Sequence, residues 1–489
     1  MKTKFLTRIS TLTLVLIMCL MALVGCTSNI VMPQTNAPVT GNGGLAVQKG
    51  DDLYFVNGYT SVDDMVDGDN RGGNQYSAIY RTKLGENNTL VYNEDGELEN
   101  CELIIDKVCG FQKTALYIFD DYIYYATPNT EKVASGDSTV ANFKLTDFYK
   151  AKLDGTGKTL IYKTNLTSDS TKFAFYKVNG VSDVYLALFD GTKLVFANCS
   201  NKAVTVVCEN ASSVALPVYD VYSADNNQIS KGASNVYYTR SGTEEEDLAS
   251  GNVICYATIG ENVEHIISSG EYTYTAISAN NQALAYTKKR SYDENAKNYV
   301  ILYKYNAQNQ LVLDVQNAGI QLDSTAHSSI LLTTFENGIP TGIITTNSSS
   351  KLVYIKLNAQ AEKSYIVLNT EKTLTPLAVS GNYVYAYDES SNLYQINYKS
   401  SDLTTKLLVD MSLSTEDEPI NTPYFSATKN FSVCGSYVYY FATYQGDTAT
   451  GYYLNRVSTA DQESYKSELV GVVQSNHIKT VEEEWDIIA

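Results

Sequence analysis

Residues 120–125 read Asp-Asp-Tyr-Ile-Tyr-Tyr, and residues 148–155, after a polar interval, read Phe-Tyr-Lys-Ala-Lys-Leu-Asp-Gly. Apolar and polar side chains alternate along both stretches, which is typical of β-strands that bury one face. The Asp-Asp and Asp-Gly pairs favour turns, because short polar side chains and glycine tolerate tight backbone conformations. A third apolar run follows at 159–162. The pattern predicts three successive strands, with a long loop between the first two and a tight turn before the third.

The same three-strand theme recurs along the chain. Aromatic first strands stand at 53–56, 184–187, 236–238, 284–286, 383–386 and 437–440, and second strands at 79–84, 302–305, 352–357, 393–396 and 453–457. About eight such units lie between residues 44 and 470, and strand-built repeats of this length are typical of propeller blades. The sequence therefore predicts an all-β fold, a β-propeller of roughly seven to eight blades over residues 44–475. A run of separate small β-domains is the alternative architecture.

An export signal stands at the start of the chain. Three basic residues among the first eight precede an apolar run at 12–23, and residues 23–26 read Leu-Val-Gly-Cys. Such a segment is typical of a secretory signal and not of a membrane span. The final cysteine resembles that of the lipobox of bacterial lipoproteins, and the resemblance implies removal of residues 1–25 and lipidation of Cys26. An ordinary secretory signal is the alternative.

The lipobox resemblance also implies where the protein is held. Acyl chains on Cys26 would anchor it to the extracytoplasmic face of the cell membrane, since two or more chains give firm binding. The polar residues up to 43 predict a flexible tether, so that 26–43 forms the lipidated cysteine and linker. Residues 476–489 form an acidic C-terminal tail.

The repeat itself also resembles a known group. A turn followed by Tyr-Tyr, and later Leu-Tyr-Arg/Lys with Leu-Asp-Gly, resembles the DUF5050-type β-propellers, related to LRP1-like and TolB-like propeller repeats. The copy at 120–125 and 148–155 carries the likeness best, and the unit at 316–370 departs from it in its first strand. This resemblance implies a fold and an extracytoplasmic setting, but no single activity, because propellers serve both binding and catalysis.

Composition limits the classes of partner. The net charge is −18, and the signal segment removes only basic residues, so nucleic acid is excluded as a partner because it needs a basic surface. The chain has 40 Tyr and 1 Trp. Tyrosine favours half-exposed strands, and it also suits a surface that binds glycans or proteins. Packing of half-exposed strands is the simpler explanation of the high tyrosine content.

Two pairs of cysteines are close enough in sequence for disulfides outside the cytoplasm, Cys101 with Cys109 and Cys199 with Cys208. The second pair flanks a polar turn in the manner of a hairpin. Buried free thiols are the alternative for both pairs.

One acidic loop has the composition of a cation site. Asp63, Asp67 and Asp69 supply oxygen ligands of the kind that calcium prefers. Arg71 stands where an EF-hand loop starting at Asp67 would place an acidic ligand, so a solvated loop is favoured and no cofactor is expected.

Catalytic motifs do not stand out. The chain lacks Gly-x-Ser-x-Gly, His-Glu-x-x-His and a phosphate loop, and its three histidines are far apart. Long polar inserts at 57–75, 127–146 and 239–251 are expected to cluster on one propeller face. The favoured function is a membrane-anchored binding or scaffold propeller for envelope proteins or glycans. The alternatives are an envelope glycan hydrolase or lyase with acids in the central channel, and a sensor or accessory subunit of a transport or secretion system.

Overall fold

The computed structural model describes most of the strands and many of the turns. The described residues are 32–59, 76–94, 98–109, 115–129, 132–135, 138–141, 146–164, 171–177, 182–216, 235–243, 251–261, 263–270, 272–279, 283–290, 299–305, 310–313, 320–321, 327–332, 341–346, 352–356, 365–367, 372–380, 382–397, 405–415, 420–425, 430–444, 447–460 and 467–471. Within them the only helical turns are two short 3-10 helices, Glu86–Asn88 and Met411–Leu413. No helix in this part of the chain has the length and hydropathy needed to cross a membrane.

The strands form eight consecutive antiparallel sheets, of which the first four cover residues 39–270. Sheet 1 contains β1 (Val39–Thr40), β2 (Ala46–Lys49), β3 (Asp52–Val56), β5 (Tyr76–Lys83) and β6 (Glu102–Cys109). Sheet 2 contains β7 (Tyr117–Phe119), β8 (Tyr122–Pro128), β11 (Thr146–Lys152) and β12 (Thr159–Lys163). Sheet 3 contains β13 (Lys172–Lys177), β14 (Val184–Phe189), β15 (Leu194–Asn198) and β16 (Val204–Cys208). Sheet 4 contains β17 (Ala211–Ala215), β18 (Asn235–Ser241), β19 (Asn252–Thr258) and β20 (Glu264–Gly270).

The other four sheets continue in the same way. Sheet 5 contains β21 (Tyr272–Ala279), β22 (Ala283–Arg290), β23 (Tyr299–Tyr305), β24 (Leu311–Leu313) and β25 (Ile320–Gln321). Sheet 6 contains β26 (His327–Leu332), β27 (Thr341–Thr346), β28 (Leu352–Lys356) and β29 (Tyr365–Val367). Sheet 7 contains β30 (Thr375–Ser380), β31 (Tyr383–Tyr387), β32 (Leu393–Asn397) and β33 (Thr405–Val409). Sheet 8 contains β34 (Phe431–Cys434), β35 (Tyr437–Tyr444), β36 (Asp447–Ser458), β37 (Glu468–Leu469) and, from the first insert, β4 (Gly58–Tyr59). A separate hairpin pairs β9 (Lys132–Ser135) with β10 (Ser138–Ala141).

The sheets are the blades of a β-propeller. We name the four strands of each blade A to D from the inside outward, so that the A strands are β2, β7, β13, β17, β21, β26, β30 and β34. Each sheet packs on the next, mostly through these A strands or their neighbours, and β2 contacts β34, which joins the last blade to the first. The all-β propeller fold predicted from the repeat is confirmed, with eight blades among the described residues. The aromatic first strands of the motif are B strands, and the second strands are C strands.

Blade 8 and blade 1 close the ring through three kinds of contact. Apolar side chains of both blades share one buried cluster, which includes Val47 and Phe441. The Arg456 guanidinium donates a hydrogen bond to the Asn88 carbonyl oxygen at 3.0 Å. In addition, β4 leaves blade 1 and pairs with β36, in line with β37 on the same side of that strand.

The two faces of the ring differ in their connections. A–B and C–D turns lie on one face, which we call the turn face, and B–C and D–A connections lie on the other, which we call the loop face. The ends of three successive A strands meet on the turn face: Lys49 at the end of β2 and Lys177 at the end of β13 both contact Asp120, which follows β7. The first three blades therefore run in the same sense.

Candidate functional site

The loop face carries the three polar inserts noted in the sequence, while the turn face carries connections of similar length between β5 and β6 and between β17 and β18. Each polar insert joins a B strand to its C strand: the first links β3 to β5, the second links β8 to β11, and the third links β18 to β19. B–C connections of blades that run in one sense leave from the same face, so the strand order agrees with the expected clustering. The β9–β10 hairpin belongs to the second insert. Connecting segments of this kind often carry binding residues, so the loop face is a candidate binding surface.

Around blade 8 the loop face is lined by polar and aromatic side chains. The connection from β33 to β34 lies along β35, where the Tyr424 amide donates to the Phe441 carbonyl oxygen at 2.8 Å. The half-buried rings of Tyr424 and Tyr452 have centroids 4.8 Å apart and planes tilted by 49°. A flat sugar ring stacks on coplanar aromatic faces, so this tilted pair does not form a glycan platform.

In blade 7, three side chains on the same face are linked by hydrogen bonds. The Lys372 ammonium donates to the Tyr394 hydroxyl oxygen at 2.8 Å, and the Tyr394 hydroxyl donates to Asp388 Oδ2 at 2.8 Å. Burial raises the pKa of Tyr394. Burial opposes ionisation of Asp388, but hydrogen bonds from Asn392 and Tyr394 prevail and lower its pKa. The two hydrogen bonds link an ammonium, a hydroxyl and a carboxylate, which are group types that general acid–base catalysis uses.

Most of the tyrosines are structural. Of the tyrosine side chains that the structure describes, those with more than about a third of their surface exposed are Tyr92, Tyr122, Tyr299 and Tyr383. Many more are buried between or within blades: Tyr54, Tyr80, Tyr117, Tyr124, Tyr125, Tyr176, Tyr237, Tyr238, Tyr286, Tyr385, Tyr394, Tyr439, Tyr440 and Tyr453. The high tyrosine content therefore serves strand packing before it serves ligand binding.

Residues 35–45, which we call the channel segment, lie inside the ring of A strands. Its strand β1 pairs with the free edge of β2, opposite β3. The Asn42 side chain bonds both backbone groups of Ile118 in β7, with Nδ2 donating at 2.9 Å and Oδ1 accepting at 2.7 Å. The Leu45 amide donates to Ser432 Oγ in β34 at 3.0 Å. The channel side of blades 1, 2 and 8 is thus covered by the protein's own chain, and residues 35–43 of the segment expected to be a tether contact the propeller.

A buried lysine fixes the start of the channel segment on the turn face. The Lys49 ammonium is fully buried and donates to the carbonyl oxygens of Thr35 at 2.8 Å and Asp120 at 2.7 Å. Its pKa is lowered because burial outweighs the attraction of Asp121 and Asp120. Thr35 Oγ1 donates to Asp121 at 2.9 Å. These contacts set the point at which the chain enters the propeller.

The predicted cysteine pairs are not brought together. Cys101 and Cys109 stand at opposite ends of β6, roughly 25 Å apart at the rise of an extended strand. The predicted hairpin of β15 and β16 is present, but Cys208 pairs with Leu194, which lies five residues before Cys199 and roughly 16 Å from it. A disulfide needs Cα atoms within about 7 Å. All four are free thiols in the structure, and burial raises the pKa of Cys101 and Cys199 to about 12.

The remaining predicted site residues lie outside the described residues. These are the lipidation residue Cys26 and the acidic residues Asp63, Asp67 and Asp69. Within the described ranges, no group of three or more His, Cys, Asp or Glu side chains is arranged to hold a metal ion. The sequence did not point to the channel segment or to the Lys372, Tyr394 and Asp388 chain, because tertiary contacts create both.

Comparison with known proteins finds likeness in fold. The β-propeller domain of the Trilobed protease from Pyrococcus furiosus is 10% identical, with 76% of this chain and 96% of that chain covered and a TM-score of 0.37. Apo AztD from Citrobacter koseri is 10% identical, with 84% and 95% covered and a TM-score of 0.35. Oligopeptidase B from Leishmania major is 11% identical, with 74% and 48% covered and a TM-score of 0.42.

The chain spans about half the length of oligopeptidase B and of a second similar protein, a prolyl endopeptidase, at 48% and 49%. No family model matches the chain, and no curated protein matches it. The DUF5050 likeness and the lipobox therefore stay predictions, and the class established here is the β-propeller, from the eight sheets and their closure.

Proposed function

We propose that this protein is an extracytoplasmic lipoprotein, anchored through Cys26, whose propeller binds an envelope protein through its loop face. One observation carries the choice of face. The three polar B–C inserts leave the loop face, and the hydrogen-bonded Lys372, Tyr394 and Asp388 side chains lie on it, whereas the channel side of blades 1, 2 and 8 is covered by residues 35–45. A broad polar surface around that face suits a protein partner, because non-obligate interfaces are about as polar as the rest of a protein surface.

A protein partner is favoured over a glycan. Glycan binding through tyrosine stacking needs exposed and coplanar rings, whereas most described tyrosines are buried and the Tyr424–Tyr452 pair is tilted by 49°. The sensor or accessory-subunit function is one form of this proposal, because it also requires a protein partner.

An envelope glycan hydrolase or lyase is the second candidate. The observation in its favour is the hydrogen-bonded chain of Lys372, Tyr394 and Asp388 on the loop face. A tyrosine hydroxyl between an ammonium and a carboxylate can take part in general acid–base chemistry when substrate reaches it. The sequence predicts the acids of such an enzyme in the central channel, but the channel segment occupies the side of blades 1, 2 and 8.

Anchoring and binding are tested in cells. The full chain and its Cys26→Ala variant are compared by membrane flotation and by incorporation of a labelled fatty acid. The unsubstituted chain should float and carry label, and the variant should do neither. Equal flotation of the two would contradict the lipid anchor.

The partner class is tested by photo-crosslinking in the same cells. A photoreactive side chain replaces Ser390, in the exposed B–C turn of blade 7, or Ser436, in the exposed A–B turn of blade 8 as a matched control. Protein adducts are expected from position 390 and not from 436.

In parallel, residues 27–489 are incubated with fractionated envelope glycans. Retention of a glycan by the protein without release of smaller products would favour a glycan partner. Release of smaller glycan products that is abolished by Tyr394→Phe would favour the hydrolase or lyase.

A further inference from the structure

We propose that the propeller stands with its turn face toward the membrane and its loop face toward the periplasmic or outer space. This inference rests on the proposed lipid anchor at Cys26 and adds the direction in which the binding face points. It follows from the place at which the chain enters the propeller and from the length of chain before that place.

The chain enters at the turn-face mouth of the channel. Thr35 is held there by Lys49 and Asp121, and the Gly50 amide in the A–B turn of blade 1 donates to the Pro38 carbonyl oxygen at 3.1 Å. From this point β1 runs antiparallel to β2, with Val39 opposite Lys49 and Thr40 opposite Gln48. The segment therefore climbs from the turn face into the channel and returns in β2. The point at which the chain enters the propeller therefore lies on the turn face, opposite the loop face.

The tether is too short for the opposite orientation. Eight residues, 27–34, separate Cys26 from Thr35, and the nine Cα–Cα steps between them reach about 30 Å when the chain is extended. To place the loop face on the membrane, the tether must pass from the channel mouth across four strands spaced about 4.8 Å apart and then along the height of a blade. Including side chains, that path is about 40 Å.

The charge of the molecule keeps the turn face off the lipid surface. The net charge of the protein is −18, although at the turn-face mouth the carboxylates of Asp120 and Asp121 stand beside the ammonium groups of Lys49 and Lys177. Anionic lipids repel a protein of this net charge over about 8 Å at physiological salt. The propeller is therefore held near the bilayer by its tether and does not adhere to it.

The orientation is tested by energy transfer from each face to the membrane. The lipidated full chain is reconstituted in vesicles that contain lipids with a fluorescent acceptor on the headgroup. A donor dye is attached through an azide-bearing residue in place of Ser436 on the turn face, or in place of Ser390 on the loop face. Both serines are exposed turn residues in neighbouring blades, so each is the control for the other.

The faces are separated by roughly 20 Å, the length of a blade strand. Transfer from position 436 is expected to exceed transfer from position 390 by about twofold or more. Equal transfer, or stronger transfer from 390, would overturn the proposed orientation.

A second preparation distinguishes failure of the lipid anchor from failure of the proposed orientation. If the unsubstituted chain does not float with membranes, the lipoprotein proposal fails. The purified chain carrying Cys101→Ser is then coupled through Cys26 to a maleimide lipid, and the same two donors are compared. Because the tether is the same, position 436 is again expected to give the stronger transfer, and the reverse order would overturn the orientation independently of natural lipidation.

Discussion

The backbone of Gly58 lies directly against the backbone of Tyr452. A Cβ atom added to Gly58 would stand 2.1 Å from the Tyr452 carbonyl oxygen, and Gly58 has a φ of +111°. This contact belongs to the pairing of β4 with β36, which fastens the first insert of blade 1 to the C strand of blade 8. Every other strand of blade 8 comes from its own contiguous stretch of chain, so β4 is the long-range element of the closure.

We therefore expect Gly58→Ala to loosen the closure of the ring. The added methyl group meets backbone that cannot move aside, and the φ value is strained for any other residue, so the free energy of unfolding should fall by about 2–4 kcal/mol. Urea denaturation measures it. Gly157→Ala is the matched control, because its φ is +65° but its nearest neighbour is the flexible Lys152 side chain at 3.9 Å. That variant should lose about 1 kcal/mol. Equal losses would mean that the close contact does not form.

Lys49→Met is expected to release the start of the channel segment. The apolar side chain fills similar space but leaves the carbonyl oxygens of Thr35 and Asp120 without their donor. Two lost partners should lower the free energy of unfolding by about 2–4 kcal/mol. Limited proteolysis near residue 35 should become faster under conditions in which the folded ring persists.

Lys202→Met is the control for this experiment, because Lys202 is exposed in the turn between β15 and β16. It removes the same charge and should change neither the stability nor the cleavage. Unchanged cleavage in Lys49→Met would contradict the role given to the buried ammonium.

The protein is expected to lose stability at alkaline pH. Burial raises the pKa of Tyr54 from 10.0 to about 12, and the pKa of Cys101, Cys199 and Cys434 from 9.0 to about 12. The folded chain therefore retains protons that the unfolded chain releases. The stability from these groups is complete below about pH 9 and is lost as the pH rises from 9 toward 12.

Urea unfolding midpoints across this range test the prediction. The urea concentration at the unfolding midpoint should fall as the pH rises above about 9. The ultraviolet absorbance of tyrosinate should rise together with unfolding. A midpoint that stays constant up to about pH 11 would show that these groups titrate as freely in the folded protein as in the unfolded one.

The repeat could be recognised from the sequence because B and C strands each carry a local pattern. In β8 and β11, for example, turn residues and alternating tyrosines mark both strands, and their register pairs Tyr124 with Lys150. The short A strand β7 carries no such pattern. The three residues of β7 are all buried, so they do not alternate, and a short apolar run is ambiguous.

The functional surfaces were harder to predict because they arise between distant residues. The channel segment has the Thr, Asn, Pro and Gly content of a linker, and Asn42 becomes structural only when it meets Ile118 in the next blade. Lys49 likewise finds its acceptors at Thr35 and Asp120, which a local pattern does not reveal. Cysteine spacing also does not show which end of a strand each residue occupies.

The positions of the cysteines give a final prediction. Since Cys101 and Cys109 lie at opposite ends of β6, and Cys208 pairs with Leu194 and not with Cys199, neither predicted disulfide can form without rearranging a blade. Protein unfolded in denaturant without reductant and then alkylated should carry the label on the peptides of all four cysteines. In the folded protein Cys101, the half-buried one, should react first, because the other three are buried. Four unlabelled peptides that become labelled only after reduction would contradict the strand assignments of blades 1 and 3.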